Sequence, residues 1–112
     1  NPASVFTCFY EYVYPAIRSF MGYKDPYLSS EKLKLNEPIK PDPEKYLFIK
    51  SRIENNANKT VAPLKHQRSH MISSLCHANG LIVLPNSEKI VERGETVLVH
   101  SLPYASGDRR DH

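Results

Sequence analysis

Cysteine is scarce in this sequence. The two present, Cys8 and Cys76, each sit inside an apolar helical pattern. Two such thiols make no disulfide framework, so a reducing cytoplasm is the expected compartment. Long apolar runs are missing as well. No stretch approaches the roughly 18 to 20 consecutive apolar residues that a membrane span needs. The apolar segment Val5 to Tyr14 carries Glu11 and has no basic lead-in, which argues against a signal peptide. There is no internal repeat and no low-complexity block. An initiating methionine is also missing, because the chain opens on Asn1 and runs directly into apolar residues. The chain is therefore expected to be a fragment or a processed product. The triplet Asn58-Lys59-Thr60 matches a glycosylation acceptor, a short pattern without meaning in a cytosolic protein.

What is there fits one small domain. The 112 residues suffice for a single core and not for two. A hydrophobic share of 40% with 24% charged residues argues against wholesale disorder. The net charge of +3 is uneven: residues 31–70 hold nine Lys/Arg against five Asp/Glu, whereas 71–112 hold four against five. A locally basic middle can attract an anionic ligand. The plainer reading is a solvated β-surface whose lysines discourage edge pairing.

Val5, Phe9, Val13, Ile17 and Phe20 recur at helical spacing, with Phe6 and Tyr10 widening the stripe. Asn1 can cap this helix, Pro2 suits its first position, and Gly22 is a plausible stop. Pro15 should kink it by removing the donor for the Glu11 carbonyl. So broad an apolar stripe needs a larger partner surface than the remaining residues offer. Cys8 and Met21 are expected in the core. Lys32-Leu33-Lys34-Leu35 alternates as a half-buried strand does, and Pro38, Pro41 and Pro43 mark an extended connector.

Tyr46 to Ile53, a polar turn over 54–59 and Thr60-Val61-Ala62 read as a β-hairpin. Ser69 to Ala78 reads as a short second helix, with Asn79-Gly80 as a left-handed stop. Leu81 to Leu84 is a buried strand ended by Pro85, and Ile90-Val91 and Thr96 to Val99 flank a turn at 92–95. The expected fold is α+β with β dominant: an N-terminal helix, then a small bent-ribbon or partial-barrel β domain carrying one short helix.

Few residues suggest chemistry. His66 and His70 are four apart, but only Cys76 and His77 are near enough in sequence to complete a zinc site, so ordinary histidines are favoured. Ser69, Ser73 and Ser74 near His70 lack a nucleophile elbow and an acidic orienter. Asn1-Pro2-Ala3-Ser4 and Gln67-Arg68-Ser69-His70 each place polar groups at a helix N-terminus, where either anion binding or simple capping fits. Tyr10, Tyr12 and Tyr14 are scattered around the helix and form no stacking platform for nucleobases.

Three stretches are recognisable. Asn1-Pro2-Ala3-Ser4-Val5-Phe6 running to Tyr14-Pro15-Ala16-Ile17-Arg18 resembles the Gly-Asn-Pro-Val-Ser helix of the MoeA/gephyrin molybdopterin molybdenumtransferases. Gln67 to Pro85, reading QRSHMISSLCHANGLIVLP, is similar to that family's C-terminal pattern. Glu92-Arg93-Gly94-Glu95-Thr96-Val97 is similar to its closing Gly-Glu-x-Val strand. The three occur in family order and span about residues 1–102.

The resemblance implies residues 1–25 as the terminal helix of the third, catalytic domain. It implies 26–104 as the fourth, β domain, and leaves 105–112 as a disordered tail. It implies an enzyme that, at full length, is a dimer and inserts molybdate into adenylylated molybdopterin with Mg²⁺. Asn1, Pro2 and Ser4 would face molybdate or phosphate, and Gln67, Arg68, Ser69 and Ser73 would face the pterin. Arg68 departs from the glycine or small residue usual there. The metal-binding acids of the family are not in this chain, so no catalytic residue and no metal is expected here, and the piece alone should be inactive. Alternatives are a protein-interaction module without catalysis and a small RNA-binding β domain.

Overall fold

The computed structural model describes residues 2–55, 57–64 and 77–103. The chain begins with a helix in three parts: α1 (Pro2–Cys8), a π-helical turn (Phe9–Val13) and α2 (Tyr14–Phe20). Directly ahead of Pro15, where a kink is expected, the helix carries the π turn. There the Tyr14 N–H donates to Phe9 O, five residues back, so the helix widens to absorb the missing proline donor. Gly22 ends the helix at φ +93°. Tyr23 N–H reaches Arg18 O at 3.1 Å and Gly22 N–H reaches Ser19 O at 3.0 Å, the paired bonds of a left-handed C-terminal stop.

Five strands follow: β1 (Ser30–Leu35), β2 (Leu47–Asn55), β3 (Lys59–Pro63), β4 (Gly80–Leu84) and β5 (Thr96–Ser101). They close into a barrel in the order β1-β3-β2-β4-β5. Every pairing is antiparallel except β1 with β3, a short parallel seam of Lys34 with Thr60 and Leu35 with Val61. Alternation places Leu33, Leu35, Val61, Ile82, Leu84, Val97 and Val99 inside. Closure pairs both edges, which removes the exposed ladder an open sheet would present.

The N-terminal helix covers part of the barrel's outer face. Leu28, Ala78, Leu81 and Leu102 form a second buried cluster there, with Phe6, Tyr10, Tyr14 and Leu64 packed on it. The buried face is therefore not the one the sequence pattern favours. Val5, Phe9, Val13, Ile17 and Phe20 point outward, Phe20 at 94% exposure. Cys8 and Met21 are exposed too. The inward set, Phe6, Tyr10, Tyr14 and Arg18, runs in the same steps of four. In a pure α-helix such a set drifts around the axis, and the wider π turn offsets the drift.

The turn expected at 92–95 is present: Val91 ahead of it bridges Ile39, and Gly94, at φ +90°, donates its N–H to Leu35 O at 2.8 Å. The turn thus closes on the end of β1. A further expectation changes: Gly80 is no left-handed stop, because it starts β4 without a positive φ. The helix expected over 69–78 lies outside the described residues except for His77 and Ala78. The tail expected over 105–112 lies outside them as well.

Candidate functional site

Helix and barrel meet through a polar joint. The Glu11 carboxylate lies 2.8 and 3.0 Å from His100 Nδ1. A carboxylate only accepts, so Nδ1 carries the proton. Glu11 sits on the π turn and His100 on the outer side of β5, between the buried Val99 and the edge of the strand. The Phe48 ring lies 6.4 Å from the imidazole. Nearby, desolvation and then the Tyr14 phenol raise the Tyr10 phenol above its ordinary value. At the helix end, Arg18 is buried, with its guanidinium over Tyr23 at 4.1 Å and Tyr14 at 5.1 Å, and Nε donating to Pro26 O at 3.2 Å.

A second constellation is the corner Ala78-Asn79-Gly80-Leu81. The Asn79 side chain imitates a strand: its Oδ1 accepts the Ile53 N–H at 2.5 Å and its Nδ2 donates to Ile53 O at 3.1 Å. Its backbone N–H donates to Ser51 O and its carbonyl accepts Leu102 N–H, both at 3.0 Å. Ala78 and Leu81 are buried on either side. At Gly80 a Cβ would sit 3.0 Å from Ile53 Cδ1 and 3.1 Å from Val99 Cγ1, so a larger residue requires those two side chains to give way. The corner thus ties β2, β4 and the end of β5 together. Arg52 Nη1 closes it from outside by donating to His77 O at 3.0 Å.

An open, mostly apolar groove of about 290 Å³ runs beside the ends of β4 and β5, with Tyr46, Pro85, Val91, Glu95 and Leu98 among its walls. Glu95 Oε2 accepts the Glu92 N–H there. Glu95 is the one carboxylate in the lining and no imidazole or thiol joins it, so the groove suits an apolar body and shows no assembled catalytic set.

Of the residues expected at a substrate site, Pro2 and Ser4 lie in the first turn of α1. Asn1, Gln67, Arg68, Ser69 and Ser73 lie outside the described residues, as do His66, His70 and Cys76. Among the described residues, no three His, Cys, Asp or Glu side chains group so as to hold a metal ion. Nor is any helix among them long and apolar enough to cross a membrane. Sequence reasoning missed Glu11, His100 and the clamp at Asn79. Glu11 was visible as the one charge within Val5 to Tyr14, and His100 as an outward position in the alternation of β5.

Comparison with known proteins comes from three directions. The family model of the MoeA C-terminal region (domain IV) matches residues 32–102, well over half of the chain. A molybdopterin molybdenumtransferase of Staphylococcus epidermidis is 32% identical over 98 residues, covering 87% of this chain and 23% of that protein. The chain thus spans under a quarter of that relative. The crystal structure of a molybdopterin biosynthesis MoeA protein from Pyrococcus horikoshii superposes with a TM-score of 0.76 at 29% identity, covering 90% of this chain and 26% of that one. A molybdenum cofactor biosynthesis protein from Pyrococcus furiosus gives 0.75 at 26% identity, covering 91% and 36%.

Proposed function

The chain belongs to the MoeA C-terminal region (domain IV) family, and from that premise we propose that it is the C-terminal part of a molybdopterin molybdenumtransferase and forms one wall of its substrate cleft. The observation that carries this reading is that the superposition with the MoeA protein covers 90% of the chain and so reaches beyond residues 32–102, the stretch that the family model matches. In this reading residues 1–25 end the catalytic domain, 26–104 make the β domain, and the whole enzyme is a cytoplasmic homodimer.

Asn1, Pro2 and Ser4 are proposed to face molybdate or phosphate, with Ser4 a hydroxyl donor to an oxyanion and not a nucleophile. Gln67, Arg68, Ser69 and Ser73 are proposed to face the pterin of adenylylated molybdopterin. Mg²⁺ in the whole enzyme would be held elsewhere. Among the described residues no three His, Cys, Asp or Glu side chains lie together to hold it. The chain alone is proposed to lack transferase activity.

The test is isothermal titration of the chain with adenylylated molybdopterin, repeated with Ser4→Ala and Ser69→Ala. Binding that either substitution weakens supports the cleft reading. Absence of binding, or binding that neither variant alters, counts against these residues. A second reading, an interaction module without catalysis, is favoured by the outward apolar face of Val5, Phe9, Val13, Ile17 and Phe20. It predicts no affinity for the pterin.

A further inference from the structure

Residues 55–87 contain no aspartate or glutamate, while carrying Lys59, Lys65 and Arg68. The chain leaves β2 and returns to it within two residues of the same strand. Leu64 N–H donates to Lys50 O at 2.9 Å, and Asn79 N–H donates to Ser51 O at 3.0 Å. On β2, Lys50 pairs with Leu81 and Arg52 with Ala62. Leu81 belongs to the outer cluster, so Lys50 and Arg52 share the barrel's outer face, with Cα atoms about 7 Å apart along the strand.

Lys50 is partly buried, and that burial pulls its ammonium below the ordinary lysine value. Among the described residues no carboxylate pairs with it. Glu11 and Glu31 on neighbouring elements are engaged elsewhere, with His100 and with Lys59 at 2.6 Å. Glu54, which shares the outer face of β2 two residues beyond Arg52, accepts from Asn36 Nδ2 at 3.5 Å. Arg52 is exposed and spends one Nη on His77 O, leaving guanidinium donors to spare.

We propose that Lys50 and Arg52 form an anion subsite on the outer face of β2 that takes a small phosphate ester. A point charge beside a planar fork suits a phosphoryl group, which can bridge both. Partial desolvation makes an unpaired ammonium costly and a charge-matched ligand correspondingly favourable. That the natural ligand is the phosphate portion of adenylylated molybdopterin rests on the function proposed above; the subsite itself does not.

The test is a calorimetric titration of the chain with inorganic pyrophosphate at low salt. Saturable binding is expected, weakened roughly fivefold or more by Lys50→Gln and by Arg52→Gln. Lys50→Arg should retain it, with all variants melting as the parent does. Absence of saturable binding overturns the subsite, as does equal binding by both glutamine variants. So does tight binding of a short RNA that pyrophosphate fails to displace. Pyrophosphate binding without affinity for adenylylated molybdopterin sustains the subsite and counts against the proposed function. Binding of the pterin that ignores both glutamine substitutions sinks the subsite alone.

Discussion

Both carboxylate oxygens of Glu11 lie within 3.0 Å of one imidazole nitrogen of His100, a residue 89 positions further along the chain. The pair joins the π turn to β5, and so fixes how the helix lies on the barrel. Its carboxylate is 9% exposed and its imidazole 21%, enough burial for the bond to outweigh a surface ion pair.

Glu11→Ala leaves the His100 Nδ1–H without its acceptor and should cost about 1–3 kcal/mol. The loss should be local. Hydrogen exchange at the amides of residues 10–14 is expected to speed up while the amides of β2 and β4 hold their protection. Uniform acceleration across the barrel would show that the pair supports the whole fold and not only the joint.

Asn79→Ala removes both side-chain bonds to Ile53 and strands a backbone N–H and carbonyl. The expected cost is about 2–4 kcal/mol, read from the urea midpoint at constant slope. Asn79→Asp keeps the acceptor and loses the donor, so it should fall between parent and alanine. A change under about 0.5 kcal/mol for alanine would mean that water replaces the clamp.

Gly80→Ala brings a Cβ against Ile53 and Val99, and overpacking of this kind costs about 1–3 kcal/mol. Since two of the three close atoms belong to Ile53, the double variant Gly80→Ala with Ile53→Val should recover part of that loss. Additive destabilisation in a double-mutant cycle would place the strain in the backbone.

Burial, then Tyr14, raises the Tyr10 phenol above its ordinary value of 10.0. A raised folded value means that the unfolded chain loses its proton first. The contribution is therefore complete below pH 10 and is lost as pH rises through the folded value. Denaturation midpoints measured above pH 10 should fall less steeply for Tyr10→Phe than for the parent. Identical slopes would remove Tyr10 as the cause.

The outward face of the helix carries little of the stability of this chain. Ile17→Ser with Phe20→Ser should shift unfolding by less than about 1 kcal/mol, whereas Leu81→Ala beneath the inward face should cost about 2–5 kcal/mol. Chemical denaturation distinguishes them. A large loss from the double serine variant would mean that the outward face is covered in solution.

Much of the barrel was legible because its patterns are local. Leu33 and Leu35 alternate with lysines, and the apolar run from Leu81 to Leu84 ends at Pro85. Gly22 stands where a helix needs a positive φ. The candidate cleft residues were legible only through likeness to a family, since serines and an asparagine at helix starts serve capping and anion binding equally.

By itself, the sequence determined the helix, its stop and the alternation that chooses each strand's inner side, because each depends on residues a few positions apart. It did not determine which face of the helix is buried. Residues 5, 9, 13 and 17 and residues 6, 10, 14 and 18 run in identical steps, and hydrophobicity favours the first set. The tertiary structure chose the second, because that face brings Glu11 to His100 and buries Arg18 between Tyr14 and Tyr23. Likewise, Asn79-Gly80 reads locally as a turn and becomes a strand clamp only where Ile53 and Val99 come within reach. Such choices rest on polar and steric partners far apart in the chain, which no local period encodes.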